Sequence, residues 1–161
     1  MTLEIEASTA SVIAYILRHI PTEWQPIYEA VPEGFMRPTV YFPVPETEWE
    51  PQTLRDYKRV YVMYVVFFGD TIRQAQEAAG SADMAIKAMR GVVPLLDKYG
   101  KPAGYPVRMR MRDQRTRVLD ANEATVQLAL TWWMPVQYFE RTPTLIQQFN
   151  FDLYRKEADR D

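Results

Sequence analysis

The stretch YKRVYVMYVVFFGD, residues 57 to 70, constrains the fold of this chain more than any other. Val, Tyr and Phe favour strands, because branched and aromatic side chains fit a pleated surface. Side chains alternate across a strand. Val60, Val62, Tyr64, Val66 and Phe68 therefore share one face, and Tyr61, Met63, Val65 and Phe67 the other. Both sets are apolar. Such a strand needs cover on both faces, from its own domain or, on one side, from a partner in an assembled state.

The remaining sequence supplies the cover. Val12, Ile13, Ile16, Leu17 and Ile20 recur at helical spacing, with Ser8 or Thr9 offering an N-cap oxygen and Pro21 ending the run. His19, the only histidine, falls beside Arg18 and off the apolar stripe, as a surface residue does. Seven of the 12 prolines lie between Pro21 and Pro51 and exclude long helices there. In that region PIYEAVPEGF reads as a short strand with a turn at Glu33-Gly34, and PTVYFPV as a strand bounded by Pro38 and Pro43. PETEWEPQ reads as an acidic connection between prolines.

After the central strand, TIRQAQEAAGSADMAIKAMRG turns helical, with Ile72, Ala75, Ala79, Ala82, Ile86 and Met89 on one face. Gly80-Ser81 is a point where this helix would break in two, Ser81 capping the second part. DKYGKPAGYP is a loop. PVRMRMRDQRTRV alternates arginine with apolar residues and predicts a strand with Arg108, Arg110 and Arg112 in a row. A turn near Asp120-Asn122 leads to the strand EATVQLALTWWMPV, and LIQQFNFDLYRKEADRD forms a tail. Strands in consecutive pairs with short links favour an antiparallel sheet with helices packed on one face. The expectation is one α+β domain over residues 1–161, with 140–161 a peripheral extension.

Functional chemistry is sparse. Three serines occur, none in a G-x-S-x-G turn, and neither G-x-G-x-x-G nor a phosphate-binding P-loop is present. No cysteine is available as nucleophile, zinc ligand or disulfide partner. The one carboxylate group of note, Glu46, Glu48 and Glu50, has the spacing of a solvated acidic edge rather than a calcium loop. No catalytic, cofactor or metal site is expected. The N-terminus carries acids where a secretory signal carries basic residues, and no apolar run approaches the roughly 20 residues of a membrane span, so a soluble product is expected.

What remains is surface. Nineteen basic residues against 21 acidic give a net charge of −2, so nothing global steers the chain to nucleic acid. Adjacent Trp132 and Trp133 must point to opposite faces, one into the core and one onto an outer face under the tail or a neighbouring chain. With Trp49, they are the aromatic candidates for an interface. The arginine row has an acidic counterpart of matching period in Glu46, Glu48 and Glu50, so carboxylate–guanidinium pairing is expected, within one subunit or across an interface.

The helix followed by PIYEAVPEGFMRPTVYFPV, then VYVMYVVFFGDTIRQA, then VLDANEATVQLALTWWMPV, resembles the tail terminator proteins of long-tailed bacteriophages and phage-like tail particles. The resemblance spans residues 9 to 137 as an order of elements and is most specific at IYEAVPEGFMRPTVYF; the C-terminal segment has no counterpart in it. It implies a structural virion protein without enzymatic activity or cofactor. Such a protein forms a hexameric ring at the head-proximal end of the tail tube. Its partners would be the tail tube protein and a head-completion or neck protein, and DNA would pass through the lumen without specific binding. Another head–tail connector or minor tail protein, and a nucleic-acid-binding module using strand 107–112, are the alternatives.

Overall fold

The computed structural model describes residues 6–138. Its elements run α1 (Ala7–His19), β1 (Gln25–Tyr28), β2 (Thr39–Phe42), β3 (Glu46–Pro51), β4 (Asp56–Phe68), α2 (Ile72–Ala88), β5 (Val92–Val93), β6 (Val107–Met109), a 3₁₀ turn (Met111–Asp113), β7 (Arg115–Asp120) and β8 (Thr125–Gln137).

β4 and β8 form the spine, antiparallel neighbours paired from Asp56↔Gln137 to Phe68↔Thr125. Two strands share each outer side of this pair. β2 takes the C-terminal end of β4 and β3 its N-terminal half; β7 takes the N-terminal half of β8 and β6 the stretch near its C-terminal end. β1 and β5 extend the sheet beyond β2 and β6, giving eight strands among the described residues.

One face of the sheet is the core. Tyr61, Met63, Val65 and Phe67 from β4 meet Val126, Leu128, Leu130 and Trp132 from β8, and all are buried under the helices. Val12, Ile13 and Ile16 of α1 and Ala75, Ala78, Ala79, Ala82 and Ile86 of α2 complete it. The alanine stripe lets α2 lie close on the sheet. The α+β class with helices on one face is thus the observed architecture, as the sequence implies.

Five local expectations are corrected. β1 pairs β2 in parallel, so the sheet is mixed rather than wholly antiparallel. The segment read as an acidic connection is strand β3, in register with β4 from Glu46↔Val62 to Pro51↔Tyr57. Its one proline, Pro51, is tolerated at the end of an edge strand, where a missing donor costs no ladder bond. α2 is continuous through Gly80-Ser81; Thr71 caps it by accepting from the Gln74 amide at 3.2 Å, and Ser81 Oγ donates back to the Glu77 carbonyl. Met89 lies past its end, largely exposed.

α1 begins one residue earlier than Ser8, with Glu6 at its N-cap position making no side-chain cap. Ser8, Thr9 and Ser11 are buried within it, and Ser8 and Ser11 dock the helix instead of capping it. Ser8 Oγ accepts from Trp132 Nε1 at 3.3 Å, and Ser11 Oγ accepts from the Leu96 amide at 2.9 Å. The arginine strand is the fifth correction. β6 stops at Met109, and the chain then winds through the 3₁₀ turn. The turn is fixed by Gln114, 5% exposed, which donates to the Asp83 carboxylate on α2 at 2.7 Å.

Candidate interaction surface

The face opposite the helices carries the charged candidates, and the strand register places them. Directly opposed residues of antiparallel strands point to the same side. Glu46, Glu48 and Glu50 oppose Val62, Val60 and Lys58, and these oppose Thr131, Trp133 and Pro135. Arg108 opposes Trp133. Arg115 and Arg117 oppose Ala129 and Gln127. The outer face therefore reads, across the strands, as an acidic row on β3, an apolar band on β4 and β8, and arginines on β6 and β7.

Within this face the acidic and basic sides meet once. Arg110 Nη2 donates to Glu50 Oε2 at 2.6 Å, although β3 and β6 lie on opposite sides of the β4–β8 spine. The contact thus spans the face. Val60, on that same side of the sheet, is 1% exposed. Lys58 Nζ sits 4.4 Å over the Trp133 ring and adds cover there. The hydrogen bond from Arg110 holds the Glu50 carboxyl below the ordinary glutamate value, with Lys58 and Arg112 acting in the same sense.

Of the three acid–base pairs the alternation suggested, the fold brings together this one. Glu46, Glu48, Arg108 and Arg112 make no ion pair among the described residues, and Arg112 is carried off the row by the 3₁₀ turn. The tryptophans separate as expected. Trp132 is fully enclosed in the core, stacked on Tyr61 with ring centres 5.4 Å apart, so it offers no surface. Burial, reinforced by the Glu6 carboxylate, pushes the Tyr61 phenol up to about 12. Trp133 lies half-buried on the outer face; the expected cover by the tail falls outside the described residues.

Trp49 alternates with the glutamates and so faces the helix side of the sheet, beyond the helices, where it is 66% exposed. It stands edge-on to Tyr57, which contacts Tyr138. At the tip of the β3–β4 turn Leu54 is fully exposed. The β3 edge thus shows Trp49 on one side and its glutamates on the other.

Two structural residues escaped sequence reasoning. Arg37 donates to the carbonyls of Gly69 and Glu123 at 2.8 and 2.5 Å and lies over the rings of Phe35 and Phe68. It ties the loop before β2 to the ends of β4 and of the β7–β8 turn. Gln114 is the other. Neither stands in a motif; both are single polar residues whose partners are distant in sequence. Among the described residues, no three His, Asp or Glu side chains converge to hold a metal.

No family model matches the chain. It is 31% identical over 147 residues to the phage-like element PBSX protein XkdJ of Bacillus subtilis (strain 168), covering 89% of this chain and 94% of that protein. The uncharacterized protein YqbJ of the same organism is 27% identical over 142 residues, covering 88% and 92%. A chain from the virion of a native gene transfer agent (GTA) particle aligns with TM-score 0.46 and 14% identity, over 81% of this chain and 94% of its own. The match to XkdJ extends over most of both chains, and the chain belongs to the family of that phage-element protein.

Proposed function

We propose that this chain is a structural protein of a phage-type particle. In this reading it forms a ring that terminates the tail tube at its head-proximal end and joins it to the head or neck. The observation that carries the proposal is the near full-length match, at 31% identity, to a phage-element protein. The terminator-like order of elements and the two-sided charged sheet face support it. The partners are further copies of the chain in a hexameric ring, the tail tube protein and a head-completion or neck protein. DNA passes through the lumen without specific binding, and no catalysis is involved.

The nucleic-acid alternative relied on a flat row of three guanidinium groups. That row ends at Arg110, whose guanidinium is already engaged by Glu50. Another connector or minor tail role remains the alternative within the particle.

Deleting the gene from a particle-producing host tests the proposal by electron microscopy. The expected result is tails of irregular length that do not join heads, repaired by supplying the gene in trans. Tails of uniform, normal length attached to heads would overturn it.

A further inference from the structure

The two exposed edges of the sheet are complementary. β3 pairs only with β4, and β7 only with β8, so each presents one unpaired row of backbone donors and acceptors. Five of the six residues of β3 are exposed, and all six of β7. Among the described residues, no backbone hydrogen bond reaches the outward side of either strand. An open edge of this kind templates pairing with another chain.

The charges decide which chain. Glu46, Glu48 and Glu50 on β3, and Arg115 and Arg117 on β7, all lie on the outer face and repeat with the same period of two. Glu46, Glu48, Arg115 and Arg117 make no ion pair among the described residues. On the opposite face, β3 shows Trp49 and β7 shows Val118, 66% and 40% exposed. We propose that β3 of one copy pairs antiparallel with β7 of the next, continuing the sheet from subunit to subunit. Glu48 would then stand opposite Arg117 and Glu50 opposite Arg115, with Trp49 against Thr116 and diagonal to Val118.

Strand direction fits. β3 runs with β8 and against β7, because each is antiparallel to its neighbour on the spine. A rotation that keeps the strand sense therefore brings β7 of the next copy antiparallel to β3. The alternatives are disfavoured by the same charges. β3 against β3 opposes carboxylates, and β7 against β7 opposes guanidinium groups; like charges placed directly across strands are destabilising. Two-fold dimers through either edge are thus selected against, and a head-to-tail contact, which closes into a ring when the rotation permits, is selected for. β3 and β7 sit at opposite ends of the spine as well as on opposite sides, so each step is oblique and the strands incline to the ring axis.

This inference rests on the proposed ring, and the test separates the two. The chain has no cysteine, so a pair of introduced ones reports without background. Glu48→Cys with Arg117→Cys, in full-length protein incorporated into particles, is treated with a short bismaleimide. The expected product is a ladder of covalent oligomers, with neither single variant going beyond a dimer. In parallel, Arg117→Glu, which sets a carboxylate against Glu48, should impair ring assembly, and adding Glu48→Arg in the same chain should restore it.

Particles that contain the double-cysteine variant but give no ladder would overturn the edge pairing and leave the structural role standing. Absence of the wild-type chain from particles would overturn the structural role. Purified protein at rising concentration would then decide the pairing by the same ladder, its absence counting against it. A ladder that emerges only after deletion of residues 139–161 would assign the edge to the chain's own C-terminal segment and also overturn the pairing. So would normal assembly of the arginine-reversed variant, or a charge-swapped double variant that stays unassembled while retaining the wild-type fold by circular dichroism.

Discussion

A methyl group at Gly69 would lie 2.8 Å from the Thr71 carbonyl oxygen and 3.0 Å from the Ala75 amide nitrogen, both backbone atoms that cannot swing away. Gly69→Ala should therefore destabilise by about 1–3 kcal/mol, the usual cost of overpacking, read as a lower urea midpoint. Val65 is fully buried on the core face of β4, and Val65→Asp leaves a charge there without a partner. A loss on the order of 4 kcal/mol is expected, enough to leave much of the variant insoluble or unfolded at 25 °C. Glu50 gives a prediction in pH. Its carboxyl is held low by Arg110, so the folded state releases that proton more readily than the unfolded chain. The pair's contribution is full above the ordinary glutamate value of about 4.3 and fades as pH falls through the depressed folded value. Carboxyl NMR should show Glu50 titrating below that ordinary value, and Arg110→Ala should move it up; an unmoved midpoint would count against the contact.

At the scale of elements, what the sequence showed depended on how long each pattern ran. The central strand carried a long, near-continuous run of Val, Tyr and Phe, its partner β8 a long stretch rich in apolar residues, and both were legible to within a few positions. β3 was hidden because its side chains face solvent on an edge, so it lacks the apolar alternation that marks a strand, and its prolines argued the other way. β6 failed in the opposite sense. The alternation of residues 107–112 is perfect on paper, but Gln114 must reach Asp83 on α2, and the chain leaves the sheet to let it. The candidate surface was half visible: acids and arginines were identified as counterparts, yet Arg115 and Arg117 could not be assigned to a face without the register. α2 supplies a prediction of its own. Gly80 sits inside the helix, and a Cβ there meets nothing within 4 Å. Gly80→Ala should stabilise by about 0.4–1 kcal/mol, chiefly by removing freedom from the unfolded chain, and raise the thermal midpoint.

For the whole molecule, the spine has a consequence in time. Phe68 and Thr125 are the spine partners nearest in sequence, and α2, β5, β6 and β7 all lie between them. Closing so long a loop costs entropy before any spine contact repays it, which places this protein among slow folders of non-local topology. β7 and β6 attach to β8, so neither has a place in the sheet until β8 arrives. During synthesis β4 emerges well ahead of its partner, an apolar strand with a bare edge, and chains halted before residue 125 should aggregate rather than fold. A nascent-chain series ending on either side of β8, scored by protease resistance, should show protection arriving in one step with β8. An organism that makes this protein in quantity has to shield that interval, and β8 acts as the latch that ends it.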